Sequence, residues 1–418
     1  MEISYDSSIL ERFIPVAYDE LFERCLETGS FQEKQEYRKF SSLLRTFYHL
    51  RFHKELLELK RLYSPFSPDA DTLTLQTFTH GEYETLKSDM VSKIRPLLNS
   101  ANYEELTQES LSEAMNRTSP YGVEVSVDFD DFEDILLFFR GTAHRFDKRR
   151  TLSTLYLKKE EVRIDVYRRL FILLKPKSLD QRAREISQKE GEAFEKVKKR
   201  LKKESIVLTN SSKGECIYLK LFKDIPHADL EMLFPNTKVK MSLHDKLKIG
   251  ITGGGGTIGG TATLIGKLGA AVEPFSLIMA VGAFGGVLWR QIKTVFTHRT
   301  RYMATLAKNL YFYNLDNNAG VLSYMIDTAE AEECKEALLA YLFVSGSERP
   351  LDRKELDSLI EAYMLETYDI PMDFEVDDGV RKLLQLGLID ESDGVIRAVG
   401  VKEALDRLDG ELKKLSVV

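Results

Sequence analysis

Over residues 7–115 the apolar positions recur with a period near 3.6. Leu10, Phe13, Val16 and Leu21 begin one stripe, and Leu43, Leu44, Phe47, Leu50, Leu56 and Leu57 form another. Such spacing predicts amphipathic helices. Tyr63-Ser-Pro-Phe-Ser-Pro-Asp69 breaks the pattern, because each proline lacks an N–H and restrains the residue before it. From Val123 to Lys175 the period changes. Val123, Val125, Val127 and Phe129 alternate with polar residues. Ile135–Phe139, Thr154–Leu157, Val162–Val166 and Leu170–Leu174 are short apolar or β-branched runs, which predict an antiparallel sheet. Residues 178–204 read as one charge-rich helix ending in Lys198-Lys-Arg-Leu-Lys-Lys203. Cys216–Phe222 reads as a further strand, and His227–Phe234 as a short helix stopped by Pro235.

Residues 246–296 differ from everything before them. Twelve of the 25 glycines lie between Gly250 and Gly286. Ile249–Gly266 is 18 residues without a charge, and Pro274–Trp289 is 16 more. The first reading is a two-helix transmembrane hairpin, since 18 helical residues rise roughly 27 Å. Lys238, Lys240, Lys246 and Lys248 before it, and Arg290, Lys293, Arg299 and Arg301 after it, place both flanks on the cytoplasmic side. Gly255, Gly259, Ala262, Gly266 and Gly269 then form one smooth helix face, and Gly282 and Gly286 a second. Small faces let helices pack closely in a bilayer. Lys267 and Glu273 would lie in the hairpin loop, or at the mouth of a pore.

The second reading is a dinucleotide loop. Gly254, Gly256 and Gly259 fit GxGxxG, and Glu273 stands where a ribose-binding acid belongs. The helical, strand-poor chain that follows supplies no repeated β-α units. A third reading is a buried helical hairpin. Beyond Thr297 the pattern is helical to about Val344. Leu351–Val418 reads helix, helix, then strand, acidic turn and strand, an order that resembles a winged helix in outline.

The expected fold class is therefore α+β, mostly helical, with a small antiparallel sheet, the glycine-rich hairpin and a winged-helix-like end. Its expected divisions are an N-terminal helical region at 1–115, a small α+β region at 116–245, the hairpin at 246–296, a helical segment at 297–345 and an acidic module at 346–418.

Composition sharpens this in two ways. Three cysteines, Cys25, Cys216 and Cys334, form no CxxC pair, so a disulfide framework or cysteine zinc site is excluded and a reducing compartment is expected. The net charge of −7 is unevenly placed. Residues 330–418 hold 22 acidic against 11 basic residues, a net of −11, which leaves +4 for residues 1–329. Such a field repels DNA, so no nucleic-acid partner is expected. The N-terminal MEISYDSSILERF lacks a basic-then-apolar leader pattern.

Other chemistry is sparse. His49 and His53 have i, i+4 spacing without an evident third ligand. Asp128-Phe-Asp-Asp-Phe-Glu-Asp134 is acidic but lacks the EF-hand spacing. Asp224 and His227 precede a short helix that Asp224 or Asp229 could cap. No catalytic residue, metal or cofactor is expected from these. The basic run at Lys198–Lys203 could meet anionic headgroups or simply be solvated.

Several separated strings occur together: Phe13-Ile-Pro-Val16, Tyr63-Ser-Pro-Phe-Ser-Pro-Asp69, Phe139-Arg-Gly141, Phe222-Lys-Asp-Ile-Pro226 with Asp229-Leu-Glu-Met-Leu-Phe-Pro235, and Asn314-Leu-Asp-Asn-Asn-Ala-Gly320. The set resembles the transmembrane protein 143-like family (domain of unknown function 3754) over about residues 10–345. The resemblance implies a membrane-associated protein, mitochondrial in animals, without established activity or catalytic residues to carry over. Together these readings lead to an expectation of an integral membrane protein with two spans and both termini cytoplasmic, in the inner membrane if bacterial. It would act as a scaffold or a homo-oligomeric assembly that could enclose a pore. Its partners would be the lipid bilayer, further copies of itself and a protein bound by the acidic C-terminal module. The alternative is a nucleotide-dependent enzyme using Gly254–Gly259.

Overall fold

The computed structural model describes residues 3–4, 10–29, 31–69, 77–107, 123–150, 159–204, 216–236, 238–241 and 311–416. Three helices come first: α1 (Tyr18–Thr28), α2 (Lys34–Tyr63) and α3 (His80–Ser100). Thr79 and Glu82 start α3 with a reciprocal capping box. The main sheet is antiparallel. It is ordered β1 (Ile3–Ser4), β4 (Phe132–Arg150), β5 (Lys159–Pro176), β6 (Tyr218–Pro226), β8 (Asn314–Asn317), with β2 (Glu104–Glu105) also on β4. β3 (Val123–Ser126) pairs separately with β7 (Lys238–Met241). Strand alternation sorts the apolar residues onto two faces. Phe138, Phe171, Leu173, Leu219 and Leu221 face the helices, while Leu137, Leu170, Ile172, Leu174 and Phe222 pack with Leu230 and Phe234 on the other side.

Between β5 and β6 stand α4 (Leu179–Glu190) and α5 (Phe194–Glu204). The single helix expected at 178–204 is thus two. Gly191, at φ 70°, closes the first in the left-handed conformation glycine adopts without strain. At the far end, α6 (Ala319–Gly346), α7 (Arg353–Tyr368), α8 (Val376–Gln385), the hairpin β9 (Ile389–Ser392) and β10 (Val395–Ala398), and α9 (Val401–Ser416) follow. Helix, helix and hairpin stand as the pattern predicted, and α9 is an addition that buries Val401, Ala404 and Leu408. One core joins α1–α3, α6–α9 and the sheet face named above. So α+β, mostly helical with an antiparallel sheet, describes the protein.

The membrane expectation is corrected. Among the described residues no helix is long and apolar enough to cross a membrane. α6 has the length, at 28 residues, but Glu332, Glu333, Lys335 and Glu336 interrupt its apolar run. The spans expected at 246–296 lie outside the described residues. So do Gly254, Gly255, Gly256, Gly259, Ala262, Gly266, Lys267, Gly269, Glu273, Gly282 and Gly286. The two-span, pore-forming and cytoplasmic-termini expectations therefore have no support in the described fold.

Candidate functional site

The strings picked out in the sequence converge at two junctions on the sheet. At the first, Gly141 on β4, Arg168 on β5 and Asp224 on β6 stand opposite one another in a row that the regular pairing skips. Gly141 has φ 69° and Asp224 φ 54°. Phe13 sits over this row, its ring centroid 4.3 Å from the Arg140 guanidinium and 4.9 Å from that of Arg168. Glu11 pairs with Arg168 at 3.1 Å. A Cβ at Gly141 would lie 2.9 Å from both the Phe13 ring and the Glu11 carboxylate. Glycine is therefore required twice over, by conformation and by space.

Beneath Phe13 lies a buried ionic network that the sequence reading missed. Glu332 accepts from the Ile14 N–H at 2.9 Å and from Arg140 at 2.8 Å, and pairs with Lys335 at 2.7 Å. Lys335 also donates to the Ile14 carbonyl. One turn on, Lys382 of α8 meets Glu336 at 2.6 Å, Glu333 at 3.1 Å and Asp378 at 2.5 Å, while Asn102 donates to Glu336 at 3.0 Å. Glu332, Glu333, Glu336 and Lys382 are all buried. Burial works against the Lys382 charge, but Glu336 and Glu333 outweigh it and raise its pKa. Charges of both signs so placed tie α6 to the N-terminal segment, β4, the end of α3 and α8. Every named cation has a carboxylate, so this is a structural seam.

The second junction is a strand–turn–helix corner. β8 ends at Asn317, Asn318 takes φ 52°, ψ −123°, and α6 begins at Ala319. Enzymes that display a nucleophile at such a corner point it outward. Asn318 is buried and its amide is engaged. Its Oδ1 accepts from the Tyr63 hydroxyl at 3.1 Å and the Leu219 N–H at 3.2 Å, and its Nδ2 donates to Asp69. Tyr63 also donates to the Ile217 carbonyl at 2.9 Å. Tyr63–Asp69, Cys216–Phe222 and Asn314–Gly320 are thus one staple. Nearby Lys220 donates to the Asn317 side chain at 2.6 Å, and burial lowers its pKa against the pull of Asp69.

The remaining sequence candidates resolve into ordinary partners. The His49 and His53 rings lie 6.1 Å apart, and His49 meets Glu330 at 3.2 Å. No group of three metal-binding side chains occurs among the described residues. The acidic run at Asp128–Asp134 surrounds a cation of the chain itself: Arg182 reaches Asp131 at 2.9 Å and Asp128 at 3.0 Å. The 3-10 turn His227–Leu233 has Pro226 at its N-cap, so Asp224 is not the cap. His227 stacks on Tyr167, with centroids 3.8 Å apart. In the basic run, Lys198 pairs with Asp180 at 2.6 Å and Arg200 with Glu190 at 2.8 Å.

The C-terminal acids are arranged differently. A groove of about 750 Å³ is lined by Phe374, Val376 and Leu384 together with Glu375, Asp377 and Asp378, and by Arg353 and Arg381. Arg353 is held by Glu391 and Asp377, each at 2.6 Å, and Arg381 by Asp378. Arg12 approaches Asp373 and Glu375 only to 3.8 Å. Beside them, burial and then Glu361, Asp373 and Asp377 push the Asp357 carboxyl up to about 6. The local potential is therefore negative despite three arginines.

No solved structure matches this chain. Residues 132–320, which run from the first residue of β4 to the start of α6 and take in β4, β5, β6 and β8 with Gly141, Arg168, Asp224 and Asn318, match the model of a family described as Protein of unknown function (DUF3754).

Proposed function

We propose that this chain is a non-catalytic interaction protein whose C-terminal groove takes a basic, partly apolar segment of a partner protein. The observation that carries the reading is the groove at Phe374–Gln385, where apolar side chains stand among Glu375, Asp377 and Asp378. A peptide of alternating lysine and leucine matches both features. Its leucines would cover Val376 and Leu384, and its ammonium groups would offset the repulsion from Glu361, Asp373 and Asp377 that, after burial, raises Asp357. The two junctions supply a rigid frame in place of a reactive group, since Asn318 and the α6 carboxylates are each held by partners within the chain.

The test is a fluorescence-anisotropy titration of the full chain with a labelled Lys/Leu peptide and with a Glu/Leu peptide of equal length. The Lys/Leu peptide should bind saturably, and more weakly as salt rises from about 50 to about 300 mM. Equal binding of both peptides, or none, overturns the reading. A random DNA duplex should not bind at low salt, because its phosphates face the same field. We further propose kinship with the transmembrane protein 143-like proteins, on the strings quoted above, as a statement of descent that assigns neither span nor activity. The α7–α8–hairpin order remains winged-helix-like in outline only.

A further inference from the structure

The sheet carries a row of like charges beside the first junction. Arg140 of β4 stands opposite Arg169 of β5, and Arg169 opposite Lys223 of β6. Residues opposite one another in an antiparallel sheet share a face, with Cβ atoms roughly 5 Å apart, and like charges so placed repel. Arg140 and Arg169 both reach α6, the first at Glu332 and the second at the Tyr324 hydroxyl, 3.4 Å away. Among the described residues only Arg140 of the three has a carboxylate partner, and Glu332 also serves Lys335 and the Ile14 N–H. Arg169 otherwise donates to the Arg168 carbonyl at 2.8 Å, and neither it nor Lys223 has an ion pair among the described residues. All three cations are half-buried, so solvent screens them incompletely.

Two buried donors beside this row are unused. Tyr103, in the link from α3 to β2, is 2% exposed, and its hydroxyl makes no hydrogen bond among the described residues. Arg140, Arg169 and the Tyr324 hydroxyl all act on its charge, which brings these groups together around it. The Nε of Arg140 is buried and makes no hydrogen bond among the described residues either. Buried donors left unpaired cost stability and are rare in a folded chain. Guanidinium, ammonium and phenol can all donate, and the charge around them is positive, so the group that completes them is an anion.

We propose that the Arg140–Arg169–Lys223 row, with Tyr103 and Tyr324, binds the phosphate group of a small soluble monoester. The arginines reach in from adjacent strands and the tyrosines from the helical layer. Donors on several sides suit a tetrahedral oxyanion better than the flat edge of a carboxylate. A phosphate monoester also brings about two negative charges at neutral pH, where a carboxylate brings one. The row shares no side chain with the groove lining at Phe374–Gln385, so either reading can fail alone.

The probes are inorganic phosphate, glycerol 3-phosphate and acetate, each titrated into the full chain by calorimetry, with vesicles containing phosphatidic acid as a separate arm. Both phosphates should bind saturably with a Kd on the order of 100 µM, and acetate roughly tenfold more weakly. Arg169→Gln should weaken phosphate about tenfold without lowering Tm, because the chain loses a repulsion and no ion pair. Tyr103→Phe should weaken it about fivefold, again with Tm kept, since no internal hydrogen bond is lost. If Tyr103→Phe fails to fold, Arg169→Gln still decides. Four results would overturn the proposal: no saturable phosphate binding by the wild type, acetate bound as tightly as phosphate, an affinity that Arg169→Gln leaves unchanged, or binding to the vesicles alone.

Discussion

Two carboxylate clusters stand close together in the C-terminal part of the chain, and they differ in burial and in the cations that meet them. On α6, Glu332, Glu333 and Glu336 are sealed in the core, and Arg140, Lys335, Lys382 and Asn102 answer them at 2.6–3.1 Å. Around the groove, Asp373 and Asp377 are exposed, Arg12 stays 3.8 Å from Asp373, Asp377 shares Arg353 with Glu391, and Asp357 has a buried oxygen with no hydrogen bond. A buried charge without a partner costs several kcal/mol, so the first cluster has to be matched for the chain to fold. A surface cluster costs little when left in excess, and its field stays available to a partner. Acidity alone therefore does not separate frame from binding surface in this protein; burial and charge balance do.

The largest expected effect is on the frame. Lys382→Ala leaves the buried Glu333 and Glu336 together beside the half-buried Asp378, and should cost about 3–5 kcal/mol in a denaturant melt. A loss below about 1 kcal/mol would mean that the seam does not hold α8 to α6. The pH sign follows from the raised Lys382 pKa. Its stabilisation is complete below the unfolded value of 10.5 and is lost as pH rises through the higher folded value, so the wild type should weaken at strongly alkaline pH and Lys382→Ala should not share that component.

A middling effect is expected at the first junction. Gly141→Ala must place a side chain at φ 69° against Phe13 and Glu11, at a cost of about 1–3 kcal/mol. Thermal unfolding of that variant checks it, and an unchanged Tm would show that the row yields.

The smallest effect has the opposite sign. Asp357 titrates near 6 when folded against an ordinary value of 3.8. The folded chain thus holds a proton that the unfolded chain releases, and stability falls as pH rises from about 4 to about 6. Asp357→Asn should remove that slope and raise stability at pH 7 by about 0.5–1 kcal/mol, after allowing for solvent screening. A lower Tm for this variant at pH 7 would mean that the carboxylate is stabilised by its surroundings.

Much of the frame was legible. Period 3.6 marked α2, helical patterning marked α6, α7 and α8, and alternation marked the sheet, whereas Leu10, Phe13 and Val16 of the first stripe lie in the irregular segment before α1 and α9 went unread. Gly191 is readable as a helix stop, but the charge pattern runs on through it. β8 was hidden because Asn314-Leu-Asp-Asn317 has little β-propensity; the Asn318 amide and the β6 backbone hold it in the sheet. The seam was missed because Glu330–Glu336 looks like a solvated helix face. The available signal was that α6 is apolar all round on either side of those charges, which marks a helix with no solvated face. The net −11 of residues 330–418 shows an acidic excess, but not which acids are spent inside. The membrane reading rested on the apolar runs at 246–296, which lie outside the described residues, and no described helix is long and apolar enough to cross a membrane.

The most direct test sets the two clusters side by side in one experiment. The Lys/Leu peptide is titrated against the full chain carrying Asp373→Asn with Asp377→Asn, and against the chain carrying Glu333→Gln, with Tm recorded for each. Both acids of the first variant are exposed, whereas Glu333 is buried against Lys382 at 3.1 Å. The account predicts that the groove variant binds the peptide about tenfold more weakly with little change in Tm, while Glu333→Gln lowers Tm and binds as the wild type does below its transition. Peptide affinity lost in Glu333→Gln and kept in the groove variant would contradict it.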